Sequence, residues 1–559
     1  MFSRVDSKQP RKYRRPAPRK LFAWCSVWGV VGLLLTFVLF ADNSGTLANE
    51  ENIRLQSGGV CNNPALRNAF EENDIDVFLC KGDDGYEKAS RIWNMLSQRD
   101  PLGVVRPRNE KEIGAILKTA MQHGFAVTVK GGGHSPAGWG VEEDAILIDM
   151  SRMKRIKVDP EEKVLWAEGG AIWDDVVPLM EKHSLAYVGG ECPSVGIVGV
   201  ALGGGTGWLS RDRGLISDNI ISLNLALPNG SFVEVSSTKH PELLWALSGA
   251  GHSNFGVVTS IRFRLHDAQP EYFAGNLCFS VADGMELRKF GRVYAQSIGK
   301  ITDNRLTIYL VLRRGSGLGY GVCYTLFFNG PKEEGPKAAE PLLTRFSEAF
   351  DETNTCTINF FKICPDQKGK ATPDQVEKMK SLILSGRPFK KGVTFARFAR
   401  AYGGPSAYMF WKSGVLNEIS IEVMDALVDG ILDPEMKSLV DGDLIQIQIN
   451  HNGGAISEKP SDHSSFPFRK SGFVAAMHGI LSPPPNSSSP DKARNLTLHD
   501  WATRTHQKLS PFFVGAYSNY NDREQRDWKS MYYGKNVEKL EKIKKSIEGH
   551  EVFRTFQRL

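Results

Sequence analysis

The stretch Gly190 to Asn219, GECPSVGIVGVALGGGTGWLSRDRGLISDN, constrains this chain more than any other. Its glycines at 190, 196, 199, 203, 204, 205, 207 and 214 would weaken a regular helix or strand, because glycine costs conformational entropy and brings no side chain to pack. Their clustering points to backbone that must come close to a ligand. A second cluster, Lys130 to Ser135 (KGGGHS), follows the strand-like run FAVTV and can turn its amide groups inward as an anion nest suited to a pyrophosphate. His134 lies within it and supplies a reactive ring. Neither cluster is a Walker loop, because no GxxxxG ends in GK followed by Ser or Thr. A GxGxxG spacing near Gly203 lacks the strand, helix and acidic partner of a dinucleotide fold.

A chain of 559 residues exceeds what one hydrophobic core usually serves, so two packed domains are expected. From Pro101 to about His266 short apolar runs alternate with glycine clusters. EKEIGAILKTAMQH (110 to 123) has helical spacing of Ile113, Ile116, Leu117 and Ala120, and NLALPNGSFVEVSS reads as a hairpin turning at Asn229 and Gly230. Beyond about 270 the texture changes. RLTIYLVLRR and GVCYTLFF alternate like antiparallel strands, and 373 to 385 and 416 to 440 read as helices. A sheet with helices on one face is an α+β pattern.

The net charge of +6 dissolves once located. Residues 1–20 hold Arg4, Lys8, Arg11, Lys12, Arg14, Arg15, Arg19 and Lys20 against Asp6, which is +7, so the remainder carries about −1. A near-neutral body offers no footprint for nucleic acid. The uncharged run Leu21 to Ala41 would span roughly 30 Å as a helix, the thickness of a bilayer core, and its basic flank would stay in the cytosol. The expectation is a single-pass anchor at 21–41. A cleaved signal peptide is the other reading, with Thr46 and Ala48 as small residues at a cleavage position. Either way residues 50 to 559 reach a lumen or the exterior. Seven of the eight cysteines then lie on the oxidising side, an odd number that leaves one with another job. Cys61 and Cys80 are good disulfide candidates, and Cys356 with Cys364 is a weaker pair. Cys278 and Cys323, in apolar alternating runs, read equally well as a bridge or as buried thiols. Asn229, Asn486 and Asn495 begin glycosylation sequons, the last two in a polar, loop-like stretch.

Three blocks carry a family resemblance: Lys130 to Ser135; GxCPSVGxxGxxLGGGxGxLSRxxGLxxDN at 190 to 219 followed by LLWALSGAGHSNFGVVTSIRF at 243 to 263; and YxNYxD with Trp528 and YYGxN, present as Tyr517, Asn519, Tyr520, Asp522 and Tyr532 to Asn536. Together they resemble the FAD domain of vanillyl-alcohol-oxidase-type flavoproteins, in its berberine-bridge-enzyme-like branch. The fold implied is α+β: a PCMH-type FAD-binding domain over 61–268, an antiparallel-sheet substrate domain over 269–500, and a C-terminal segment, 501–559, returning to the first. Residues 1–20 would be a basic cytosolic tail, with the anchor at 21–41 and a stalk at 42–60.

The resemblance implies that His134 carries FAD through its 8α position and that Cys192, the odd cysteine, bonds to C6. It also implies that Lys130, Gly131, Gly132, Gly133, Ser135, Val195, Gly196, Gly199, Asn219, Gly256 and Val258 line the cofactor, with Asn519 near the ring. Tyr517 and Tyr520 take the catalytic roles over the flavin face. The expected reaction is hydride transfer from a small organic substrate, a sugar or alcohol, with O2 as acceptor giving hydrogen peroxide. Val195 resembles the smaller residue of family oxidases. A dehydrogenase using another acceptor, and a flavin-binding protein with little turnover, are the alternatives. No metal site is expected. The chain departs from the family where Phe468 replaces a usual His, where Ala475 and Met477 replace polar residues in FVAAMHGI, and where SIEGHEVF stands in place of an Asp, Pro and Asn pattern before Phe553. The middle departure puts the catalytic base in doubt.

Overall fold

The sheets follow from where apolar residues alternate with period two and where glycine or proline interrupts them. A computed structural model describes residues 60–252, 254–281, 283–315, 319–351, 407–439, 442–482, 492–557 and 559. The expected anchor at 21–41, the helix at 373–385 and the Cys356–Cys364 pair lie outside the described residues. Among those described, no helix is long and apolar enough to cross a membrane.

The first part holds β1 (Phe78–Leu79), β2 (Gly103–Val105), β3 (Ala126–Lys130), β4 (Ala145–Asp149), β5 (Ile156–Asp159), β6 (Val164–Glu168), β7 (Leu185–Ala186), β8 (Ile220–Ala226), β9 (Phe232–Ser236), β10 (Val257–Arg264) and β11 (His266–Asp267). One sheet runs β1-β2-β4-β3, with β2 and β3 parallel to β4, and another runs β5-β6-β10-β8-β9, antiparallel throughout. Parallel neighbours need a crossover. Helix α1 (Glu110–Gln122) lies between β2 and β3, capped by the Asn109 side chain accepting from the Glu112 amide, and buries Ile113, Ile116, Leu117 and Ala120. The expected hairpin forms as β8 and β9, with Gly230 at φ +82° in its turn. The last described segment comes back to this part. Phe553 bridges Val127 in parallel, and the Arg554 amide donates to the Val127 carbonyl at 2.9 Å.

The second part is one six-stranded antiparallel sheet of β12 (Phe273–Val281), β13 (Leu306–Gly315), β14 (Gly319–Phe328), β15 (Tyr408–Leu416), β16 (Leu444–His451) and β17 (Phe473–Leu481), ordered β12-β14-β13-β16-β17-β15. Helices α2 (Gly284–Ile298), α3 (Glu340–Asp351), α4 (Ile421–Ile431) and α5 (Lys492–Leu509) cover one face. Ile445, Ile447 and Ile449 of β16, with Ala475 and Met477 of β17, point into that helix-covered core. The other face carries Gln446, Gln448, Asn450, Ala476 and His478. This period-two division places the functional site.

Three sequence readings change. Residues 416–440 do not form one helix: the strand runs through Leu416, and α4 starts only after Ser420, whose hydroxyl accepts from the Val423 amide. Cys278 and Cys323, paired across β12 and β14, form a disulfide, as do Cys61 and Cys80. Asn495 sits inside α5 rather than in a loop.

Candidate active site

The two glycine clusters meet backbone to backbone. A Cβ on Gly132 would lie 2.3 Å from the Gly196 nitrogen, and one on Gly196 would lie 2.5 Å from the Gly132 nitrogen. Only residues without a side chain can make this contact, which accounts for glycine at both positions. Gly133 takes φ +69°, turning the chain so that His134 faces a cavity of about 600 Å³ shared with Cys192.

The same cavity is lined by Lys130, Gly131, Gly132, Gly133, Ser135, Val195, Gly196, Gly199, Gly256, Val258, Tyr517, Asn519 and Tyr520, so of the sequence-predicted residues Asn219 alone is not on it. The Asn219 amide donates to the carbonyls of Arg213 and Leu215, while its oxygen meets His266 at 2.9 Å, so this side chain braces the end of the glycine-rich segment. Lys130 borders the cavity, but its ammonium is turned to Asp149 and to the carbonyls of Ala89 and Arg91.

His134 stacks on Trp93, ring centroids 5.2 Å apart at 20°, and burial pushes its imidazole down to about 4, so the ring is neutral at physiological pH. Cys192 is a free thiol, 3.3 Å from the Ser194 hydroxyl. Asn519 is fixed on three sides: its amide donates to the Val200 carbonyl and the Tyr517 hydroxyl, and its oxygen meets His252 Nε2 at 2.9 Å. Asn521 ties the motifs together, its side-chain oxygen accepting from the Ser135 hydroxyl and the Ala137 amide.

Opposite the glycine loops stand side chains that sequence reading did not assign to the site, although alternation along FVAAMHGI does put His478 on the face opposite Met477. Trp411, Gln446 and His478 lie side by side on β15, β16 and β17, and Gln448 follows on β16. The Gln446 amide donates to His478 Nδ1 at 2.7 Å, which leaves the ring proton on Nε2. Burial pushes this imidazole down to about 3. The buried nitrogens Trp93 Nε1, Trp411 Nε1 and His478 Nε2 border the cavity without a hydrogen-bond partner, as does Trp139 Nε1. Buried donors in this condition are costly unless a ligand accepts from them. Ala475 and Met477, read from the sequence as lost polar positions, face the helix-covered core. The residues of β17 on the cavity side are Ala476 and His478.

FAD fits these residues. The volume is in the range of cofactor sites, of order 300–1,000 Å³, the glycine loops permit close approach of phosphates, and the partnerless donors await acceptors. Comparisons with known proteins agree. Residues 101–236 match the family model described as FAD binding domain, and residues 516–558 match berberine and berberine like. An FAD-linked oxidoreductase of Bacillus subtilis, YgaK, is 27% identical over 85% of this chain and 95% of its own. Chitooligosaccharide oxidase of Gibberella zeae is 24% identical over 85% and 91%. The solved structure of Physcomitrella patens BBE-like 1 superposes with a TM-score of 0.69, at 22% identity over 88% of this chain and 98% of the other. The fold is therefore the mixed α/β PCMH-type FAD-binding fold, and the cofactor is FAD.

Proposed function

We propose that this FAD-linked oxidoreductase, whose C-terminal segment matches the berberine-like model, holds FAD covalently through both His134 and Cys192 and oxidises an uncharged CH–OH donor, a sugar or other alcohol. The observation that carries this is the placement of a neutral imidazole and a free thiol on one cavity, presented by two loops in backbone contact at Gly132 and Gly196. Gly131 to Gly133, Ser135, Val195, Gly196, Gly199, Gly256 and Val258 would hold the cofactor, largely through the main chain. Bound FAD supplies a two-electron acceptor.

The substrate class follows from the opposite wall. Trp411 Nε1 and His478 Nε2 are donors in search of acceptor oxygens, and the aromatic rings of Trp411 and Tyr520, 5.0 Å apart, suit the flat faces of a sugar. An alcohol or oligosaccharide meets both conditions, consistent with a relative named chitooligosaccharide oxidase. Tyr517 and Tyr520 order this wall. Oxygen is the proposed acceptor, because Val195, which lines the cavity with Cys192, resembles the smaller residue of family oxidases. The two disulfides suit delivery of the body to an oxidising compartment, by an anchor or a signal segment at 21–41.

The covalent reading is tested by acid denaturation of the purified protein. Colour should stay with the polypeptide, and one flavin should map across the peptides containing His134 and Cys192. His134→Ala should leave a single cysteinyl link and Cys192→Ala a single histidyl link. Complete release of flavin from the unmodified protein would overturn it. Rapid reoxidation in air with hydrogen peroxide formed supports oxygen as acceptor, whereas fast reoxidation only by a quinone or dye identifies a dehydrogenase.

A further inference from the structure

Glu191, immediately before Cys192, borders the cavity and is enclosed by protein while remaining partly open to the cavity itself. Among the described residues no lysine, arginine or histidine lies within ion-pair distance of it. Its polar neighbour is Gln448, whose Nε2 is 3.4 Å from each carboxylate oxygen. Gln448 Nε2 also donates to Asn450 Oδ1 at 2.8 Å, and Asn450 Nδ2 donates to the Tyr520 hydroxyl at 3.0 Å. Two side chains, Gln448 and Asn450, thus join Glu191 to Tyr520 along one face of β16. Glu191 and Cys192 line the same cavity and their Cα atoms are about 3.8 Å apart, so a flavin tethered at Cys192 would share that cavity with the Glu191 carboxylate.

We propose that Glu191 is the base that takes the proton from the substrate's reacting hydroxyl, and that Tyr520 is a positioning residue at the far end of the Gln448–Asn450 row. This rests on the reading of Cys192 as a flavin link and of the substrate as a CH–OH donor. In the step, the substrate O–H bond breaks and its proton passes to the Glu191 carboxylate. The neighbouring C–H bond breaks with its electron pair, delivered to FAD as hydride, and the C–O bond becomes a carbonyl. His478 Nε2 and Trp411 Nε1 are the donors that hold the oxygen.

The other titratable groups of the cavity are poorly suited. Burial pushes the imidazoles of His134 and His478 far down and lowers that of His252, so none takes up a proton stably near neutrality. Burial also raises the phenols of Tyr517 and Tyr520, and the nearby Glu191 charge raises Tyr520 further, so they stay protonated. Tyr309 of β13, the other phenol feeling that charge, is raised in the same way. Burial pushes the Glu191 carboxyl up to about 8, against a weaker lowering by Gln448. A general base works best with its pKa near the working pH.

The test uses the full-length flavoprotein with Glu191→Gln and Tyr520→Phe, anaerobic mixing with chitobiose, and the rate of flavin bleaching from pH 5 to 10. In the parent the rate should rise with pH through about 8, because only the carboxylate accepts. Glu191→Gln should keep covalent flavin, lose about 100-fold or more in rate, and lose the rising limb. Tyr520→Phe should lose about tenfold and keep it. Retention of rate and limb by Glu191→Gln, or loss of the limb only in Tyr520→Phe, overturns the proposal. An independent readout is infrared titration of the carboxylic acid C=O band without substrate. A band titrating near 8 that vanishes in Glu191→Gln supports the assignment, and titration in the ordinary carboxylate range overturns it. If chitobiose fails to bleach the parent, the alcohol-donor reading falls, and the infrared titration alone decides the place of Glu191.

Discussion

The two walls of the cavity are built by opposite means. On the cofactor side the backbone does the work: Gly132 and Gly196 touch where any Cβ would collide, and the reactive His134 and Cys192 sit at the edges of contiguous glycine motifs. On the opposite side, where the substrate is proposed to lie, the backbone recedes into a regular sheet, and alternate side chains of three strands, Trp411, Gln446, Gln448 and His478, make the surface. A wall of main chain tolerates almost no substitution but is fixed once made. A wall of alternating side chains can be changed residue by residue without disturbing the sheet. The first suits a constant cofactor and the second a substrate that differs between relatives.

This contrast can be broken in graded ways. The largest effect is expected from Gly132→Ala. The added methyl meets Gly196 backbone on a loop that cannot yield independently, an overpacking penalty worth about tenfold or more in flavin content, measured as bound flavin per polypeptide. Gln448→Leu should do the converse, lowering turnover about tenfold by removing one hydrogen-bonding link while flavin content stays at the parental level. Equal loss of flavin in both would show that the walls are not separable.

A third test is thermal unfolding against pH. The Glu191 carboxyl rises from 4.5 in the unfolded chain to about 8 when folded. The folded state therefore binds more protons between these values, and stability falls as pH rises through that window. Glu191→Gln should unfold at the parental temperature near pH 4 and at a higher one at pH 9, a gain of at most about 5 kcal/mol. His478 acts in the opposite sense. Its folded value of about 3 lies below the ordinary 6.5, so stability falls as pH drops below 6.5 towards 3. The smallest effect on the site is expected from Asn219→Ala, which loses the bonds to Arg213, Leu215 and His266. Stability should drop by about 1 kcal/mol, with flavin content unchanged, whereas a large loss of flavin would restore Asn219 to the cofactor wall.

The same contrast explains what the sequence made legible. Close backbone approach demands runs of glycine, and runs are visible, so the two loops and the His134 embedded in one of them stood out, while the roles of His134 and Cys192 came from the family resemblance. The YxNY segment was visible too, as a compact motif. Trp93 and Trp411, by contrast, lie more than 300 positions apart, and their rings meet at 6.1 Å only after folding. Gln446, Gln448 and His478 follow period two, but alternation alone does not say which face looks at helices and which at a ligand. That is why Ala475 and Met477 looked like missing catalytic positions when they are core. Glu191 was passed over because nothing beside it in the sequence marks it out. Its meaning comes from Gln448, 257 positions later. The helix read at 416–440 blurred because Val415 and Leu416 continue an apolar pattern across the strand end, and the cap at Ser420 was not weighed against it.

The contact between Ser135 and Asn521, separated by 386 positions, sets an order of assembly. Synthesis proceeds from the amino end at about 5–20 residues per second, so both glycine loops leave the ribosome well before the asparagine that braces them. During that interval the imidazole and the thiol exist without the wall that shields them. If FAD is attached as proposed, its attachment is therefore expected to be a late event, timed by the arrival of Tyr517 to Asn521 rather than by the folding of the loops that would bear the links. Chains halted before residue 517 would then be colourless however well their first sheets had formed.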